Sequence, residues 1–311
     1  MDSKDTDKHW RPRHVLVGYD GSDGAKDAVR LTRTLCRGGA AEVLLVNVLP
    51  YPGPLPVAYR LLGYDEAPAW KTYFEEPEAA LPGLTVKHRS YVGGSAAKVL
   101  NDTAEEEDID LVVIGSPHRG AIGRTFVGSV AEGLLHGASV AVVAAPRGYR
   151  DRVHEGFGRI VVGYDGSHEA RVALRRGESI ARREGVPLHV LSVTTPPVVA
   201  PGPFAGPMPS VLPDAENLVA KAVRSVDDDV DVRGEALQGS AIPELAEYCG
   251  PDDLLMVGSR GYGPLGRTLL GSVSSGLIHT APCPVLVVPR PHHAPEEPAE
   301  QSEPAAAVET A

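Results

Sequence analysis

Val17-Gly18-Tyr19-Asp20-Gly21-Ser22 returns as Val162-Gly163-Tyr164-Asp165-Gly166-Ser167, and this echo decides the fold. A second pair follows it: Gly115-Ser116, with Gly128-Ser129-Val130 downstream, returns as Gly258-Ser259 with Gly271-Ser272-Val273. The copies lie one small domain apart, which is the spacing of a duplicated domain and not of a short solenoid repeat. Each repeated segment follows an apolar run, the place where α/β proteins put ligand-binding residues.

Working outward, short apolar runs alternate with helical patterns. Residues 14–19, 42–49, 85–91, 111–115 and 140–145 read as strands in the first copy. Their counterparts are 159–164, 187–193, 230–237, 254–258 and 284–288. Stretches such as 23–36 and 168–183 carry apolar positions at helical spacing. Continuous Val/Ile/Leu runs suit strands buried on both faces, and the right-handed crossover rule then limits the topology. The expected fold is α/β: two doubly wound parallel-sheet domains of five strands each, in the order 3-2-1-4-5. The division is a disordered N-terminal segment 1–13, a first domain 14–147, a linker 148–158, a second domain 159–290, and a disordered acidic Pro/Ala-rich tail 291–311. The connections 50–70 and 195–213 are rich in Pro and Gly and read as surface loops before lids.

Composition narrows the function classes. The 311 residues carry a formal charge of −11, which argues against broad binding to nucleic acid or an anionic membrane. No stretch approaches the roughly 20 apolar residues that cross a bilayer. The polar N-terminus has no signal-peptide core. Cys36, Cys249 and Cys283 are odd in number and lack metal-ligand spacing, as expected of reduced thiols in a cytoplasmic protein.

In the second copy, Gly258-Ser259-Arg260-Gly261 follows the apolar run 254–258 at once, and Gly271-Ser272-Val273 opens the next helical pattern. Glycines let the backbone turn sharply and bring N–H groups close to an anion. Gly271 and Ser272 lie where a helix N-terminus leaves donors unpaired. Ser272 adds a hydroxyl, and Arg260 or Arg267 a cation, so the set forms a candidate phosphate cradle. The alternative is purely structural: the glycines serve a tight turn and Ser272 is an N-cap, worth about 0.5–2 kcal/mol. Asp165 ends the first strand of this copy. Its carboxylate either accepts hydrogen bonds from ribose hydroxyls or adenine N–H groups, or shapes an Asx-turn. With strands 1 and 4 flanking the topological switch point, Asp165 and Gly258 share one crevice.

Taken together, Val-Gly-Tyr-Asp-Gly-Ser on strand 1 and Gly-x2-Gly-x9-Gly-Ser after strand 4 resemble the universal stress protein family in its tandem form, over residues 14–290. Gly258, Gly261, Gly271 and Ser272 match each fixed position of that family's ATP-binding motif. The resemblance implies an adenine nucleotide alpha-hydrolase-like fold that binds ATP; whether Mg²⁺ accompanies the nucleotide is left open. It places Gly163 and Asp165 at the adenosine part and Val193 and Val257 around adenine. The glycine loop, with Ser272 and Val273, would hold the phosphates and ribose. In the first copy, Asp20, Val48 and Ile114 correspond to the nucleoside side, and Gly115, Gly128, Ser129 and Val130 to the loop. There His118, behind Pro117, stands where the second glycine belongs. If that position needs φ > 0, a non-glycine residue costs roughly 1–2 kcal/mol, so the first site is expected to be weakened or altered. The resemblance also implies an intramolecular pseudo-dimer joined through the edge strands 140–145 and 284–288, with pairing of two chains left open.

What the chain lacks matters equally. It has no Gly-x4-Gly-Lys-Ser/Thr loop, no paired carboxylates of the kind that hold Mg²⁺ at phosphoryl-transfer sites, and no nucleophile elbow. The expected function is therefore a non-catalytic, ATP-dependent regulator of a stress response, with the better-formed site in the second domain and a protein partner the sequence does not name. Two alternatives remain. One is a slow ATPase or a phosphoryl or nucleotidyl transferase, marked by hydrolysis that depends on Ser272 or Asp165. The other is a nucleotide-free interaction module, marked by loss of the glycines.

Overall fold

The computed structural model describes residues 10–49, 68–116, 129–153, 155–195, 212–259 and 271–289. The first half runs β1 (His14–Gly18), α1 (Asp23–Leu35), β2 (Glu42–Leu49), α2 (Pro68–Ala79), β3 (Thr85–Val92), α3 (Ala96–Glu106), β4 (Leu111–Gly115), α4 (Ser129–Gly137) and β5 (Ala141–Ala145). The second repeats it: β6 (Arg159–Gly163), α5 (His168–Glu184), β7 (Leu188–Thr194), α6 (Leu212–Arg224), β8 (Val232–Gln238), α7 (Ala241–Tyr248), β9 (Asp253–Gly258), α8 (Ser272–Thr280) and β10 (Val285–Val288). The irregular connections 50–70 and 195–213 lie mostly outside the described residues, as do residues 1–9 and the segment 291–311.

One ten-stranded sheet holds both halves, in the order β3-β2-β1-β4-β5-β10-β9-β6-β7-β8. Each half thus reads 3-2-1-4-5, with parallel pairing throughout. The halves join by an antiparallel ladder between β5 and β10, where Leu286 faces Val143. This is the intramolecular pseudo-dimer that the resemblance implied. Pairing the two central edges leaves only β3 and β8 at the rims. β3 presents Lys87 and Arg89, paired with Glu42 and Glu107 at 2.6 and 2.7 Å, which makes it a poor template for further strands.

Alternation along the strands explains why both faces are covered. Val15, Val17, Val43 and Leu45 point into one apolar cluster beneath α1, α2, α5 and α6. Leu16, Leu44, Val46 and Val112 point into the other, beneath α3, α4, α7 and α8. Each cluster contains side chains from both halves, so the sheet has two continuous cores and no solvent seam between the repeats.

The short segments flanking the halves are ordered by specific contacts. Residues 10–13, which sequence alone assigns to a disordered lead-in, begin with a buried Trp10. Its carbonyl accepts from Ser179 Oγ at 3.1 Å, and Arg176 lies 5.1 Å over its ring. The N-terminal strap of the first half therefore lies on α5 of the second. The linker reciprocates, because Glu155 pairs with Arg33 on α1 at 2.9 Å. Asp27, 1% exposed on α1, accepts from Gly148 N and Arg150 N, both at 2.9 Å. Asp27→Ala is expected to strand those two half-buried donors and to cost about 2 kcal/mol, read as a lower midpoint in urea unfolding. A loss under about 1 kcal/mol would show that this carboxylate does not hold the connection.

The three cysteines are free and buried. Burial pushes the Cys36 thiol up to about 11. Cys249 and Cys283, far apart in sequence, meet: a hydrogen bond between them and then burial raise the Cys249 thiol.

Candidate functional site

The two aspartates sit alike at the carboxyl ends of β1 and β6. Asp20 Oδ1 accepts from Ser22 N at 3.0 Å, and Asp165 Oδ1 accepts from Ser167 N at 2.9 Å. Ser22 and Ser167 then cap α1 and α5 by accepting from Ala25 N and Ala170 N, each at 3.2 Å. The intervening Gly21 and Gly166 have φ of 74° and 78°, which a side chain would strain. One oxygen of each carboxylate therefore shapes an Asx-turn, and both aspartates are exposed at the crevice.

The neighbouring strands bring the remaining described residues to the same edge. Gly163 pairs with Val257 between β6 and β9, so Asp165 and Gly258 follow adjacent strand ends. Val48, Ile114 and Val130 lie on one face of the first half, and Val193, Val257 and Val273 on the same face of the second. All six belong to the apolar cluster under α3, α4, α7 and α8. Ile114 and Val257 are buried, and the other four are partly buried. The candidate adenine-lining residues thus form one apolar surface per half, beside the switch point.

The glycine motif divides into different roles. A Cβ on Gly115 would stand 2.2 Å from Gly24 O, and one on Gly258 would stand 2.8 Å from Glu169 Cβ. The first glycine of each motif is thus required by the close passage of α1 or α5 over the strand end, whatever the ligand. Gly128 and Gly261 lie outside the described residues, together with Pro117, His118, Arg260 and Arg267.

The helix starts correct one sequence alternative. Gly271, not Ser272, occupies the N-cap of α8, with φ −63° and no side-chain capping bond. Ser272 is the first helical residue and is exposed. It is therefore not the cap, and the first-turn donors of α8 are not consumed by a side chain at that position. The first turn of α8 also contains no acidic residue. Ser129 likewise opens α4, but there Glu132 stands in the first turn.

Sequence reasoning passed over Glu132, although the comparison was available: the repeat aligns it with Ser275. A carboxylate in that turn opposes an anion at the positive end of the helix. It also passed over Tyr73, whose hydroxyl would lie 3.1 Å from a Cβ on Gly21. Asn47 Nδ2 donates to Tyr73 OH at 2.8 Å and to Tyr19 O at 2.9 Å. Burial, and then Tyr19 and Asp20, push the Tyr73 phenol up to about 12, so it stays a neutral donor and acceptor. The second half places Leu218 against Gly166 instead. The two crevices are thus chemically distinct even where their motifs agree.

The halves also touch at their site edges. Ser116, directly after Gly115, donates its hydroxyl to Ile278 O in the last turn of α8 at 3.3 Å. Among the described residues no cluster of His, Cys, Asp and Glu could hold a metal ion, and no helix is long and apolar enough to cross a membrane.

Comparison with known proteins agrees with this geometry. The profile of the Universal stress protein family matches the chain twice, at residues 12–146 and 156–289. A universal stress protein of Mycobacterium tuberculosis is 29% identical over 295 residues, covering 88% of this chain and 99% of its own. One of Mycolicibacterium smegmatis is 34% identical over 298 residues, covering 88% and 96%. The crystal structure of a universal stress protein from Archaeoglobus fulgidus superposes with a TM-score of 0.62 at 20% identity, over 89% of this chain and 96% of that one. With two matched repeats, one doubly wound α/β fold per repeat and relatives matched along nearly their whole length, the chain belongs to the universal stress protein family in its tandem form.

Proposed function

We propose that the chain binds ATP in the second half and acts as a non-catalytic, nucleotide-dependent regulator in a stress response. The observation that carries this reading is the start of α8: Gly271 at the cap, Ser272 exposed, and no carboxylate in the first turn. Backbone N–H groups and the helix dipole there suit a polyphosphate. Asp165 on the adjacent strand end suits ribose hydroxyls, and Val193, Val257 and Val273 offer adenine an apolar surface on one face. The donor set fits ATP: acceptor phosphates meet donors, and the apolar base meets apolar side chains. Bound ATP would tie the β9 end to α8 and so favour one arrangement of the crevice. Such a ligand shifts a partner-binding equilibrium only by its differential affinity for the two states.

A second reading applies to the first half alone. Glu132 in the first turn of α4, together with His118 in the motif, favours a scaffold role there without nucleotide. The chain is then a hybrid of binder and scaffold, with the site in one half and a partner surface in the other. The test is the nucleotide released by denaturing protein purified without added ligand and resolved by chromatography. About one adenine nucleotide per chain is expected, carried through purification or taken up on incubation with ATP well above Kd. Protein that emerges empty and stays empty after incubation with ATP would overturn the reading.

A further inference from the structure

We propose that the free edge of β8 pairs antiparallel with β8 of a second chain, joining two ten-stranded sheets about a two-fold axis at Gly234. Among the described residues β8 pairs with β7 alone, so its other side is a rim of the sheet. Asp231 O accepts from Leu188 N, and Gly239 N donates to Thr194 O, both at 2.9 Å. The odd-numbered residues of β8 thus turn their backbone groups to β7. The alternate residues Val232, Gly234 and Ala236 present N–H and C=O at the rim. Arg233, Gly234 and Glu235 are exposed there. A free row of this kind is a template for another strand unless its side chains oppose one.

The charges on β8 select a second copy of the same strand. Arg233 and Glu235 project from one face, two residues apart. With two copies antiparallel about Gly234, Arg233 of each chain stands directly opposite Glu235 of the other, twice per dimer. These are pairs without mutual backbone bonds, where side chains approach closely. On the other face Val232 meets Ala236. One pairing step either way sets Arg233 opposite Arg233 or Glu235 opposite Glu235, so the same charges fix the register. α6 packs on β7 and β8 together. At a strand spacing of about 4.8 Å, the two copies of α6 would lie about 10 Å apart, a distance at which helices pack.

The other rim shows the contrast. The strand registers make Lys87 and Arg89 on β3 the counterparts of Arg233 and Glu235. On β3 the two charges are alike, and Glu42 and Glu107 of the same half engage them. On β8 they are opposite, and Pro187 stands in the place of Glu42. Arg233 reaches Asp231 of its own strand at 3.9 Å, with both side chains more than half exposed. Glu235 has no ion pair among the described residues. One rim is therefore self-repelling and satisfied within its half, while the other is self-complementary. Backbone bonds supply the attraction, and the charges choose the partner.

The experiment is sedimentation velocity on the full chain, from about 10 to about 200 µM. The parent is expected to move from one chain mass towards two over that range, and no further. Arg233→Glu and Glu235→Arg each set like charges opposite one another twice per dimer, and each should weaken association at least about tenfold. Both changes in one chain should restore it. An equimolar mixture of the two single variants should also dimerise, at concentrations where neither variant associates alone, because the mixed pair is again complementary. A lost fold would not be rescued by mixing. A mixture that stays monomeric, a dimer indifferent to both single changes, growth beyond two chains (as β8 meeting β3 would give), or a parent monomeric throughout would each overturn the proposal.

Discussion

Ser272→Glu is expected to weaken ATP binding by about 100-fold or more while leaving the protein as stable as before or slightly more stable. Ser272 is exposed and is the first residue of α8, so among the described residues the longer side chain meets no packed neighbour. A carboxylate at that position complements the helix dipole and contributes about 0.3–1 kcal/mol to stability. The same carboxylate occupies the place of a phosphate and repels the remaining ones. At about 4 Å and an effective dielectric near 20, one such pair of like charges costs about 4 kcal/mol. Calorimetric titration with ATP and a thermal melt on the same preparation separate the two effects. Affinity within about threefold of the parent, with the melt unchanged, would remove α8 from the nucleotide site.

Gly115→Ala is expected to be the most destabilising single methyl in the molecule's motif positions, costing about 3 kcal/mol. Its Cβ would stand 2.2 Å from Gly24 O and 2.3 Å from Gly24 C, both backbone atoms of α1, so the helix itself must move. Gly258→Ala meets Glu169 Cβ at 2.8 Å and Ala170 N at 3.1 Å, a milder overlap, and should cost less. Urea unfolding of the two variants gives the comparison. Equal losses below about 1 kcal/mol would show that the strand ends are not held this tightly. The expected order has a consequence for the site. Loss of nucleotide on mutating the first glycine of the motif reports on packing, whereas Ser272→Glu reports on ligand.

The sheet was legible because its signal is dense and repeated. β4 and β9 are unbroken apolar runs that each end in the same Gly-Ser, so the parallel sheet follows from the pattern, while its order came with the doubly wound fold and the family the motifs resemble. The observed strand ends differ from the sequence boundaries by a residue or two. At Tyr19 and Tyr164 the ladder even continues past the strand, through bonds to Val46 O and Leu191 O at 2.8 and 2.7 Å. Other features needed three dimensions. Asp27 looks like a solvated helix charge until the linker amides arrive from more than a hundred residues away. Trp10 sits in a polar lead-in whose composition says disorder, and only the partner repeat supplies the surface that buries it.

The candidate site was legible in its residue types but not in the division of labour among them. Sequence could not tell cap from first helical residue, since that distinction rests on the backbone dihedrals of Gly271. Nor could it separate the packing role of Gly258 from a ligand role, because the constraint comes from α5. The contrast between Glu132 and Ser275 was readable by aligning the copies. It gains meaning only once both residues are placed in the first turn of equivalent helices.

The central claim is one working nucleotide site, in the second half. Calorimetric titration of ATP into emptied protein tests it most directly, on the parent chain and on Gly261→His and His118→Ala. The account predicts a stoichiometry near one per chain, abolished by Gly261→His and unchanged by His118→Ala. A stoichiometry of two, or binding that survives Gly261→His, would contradict it.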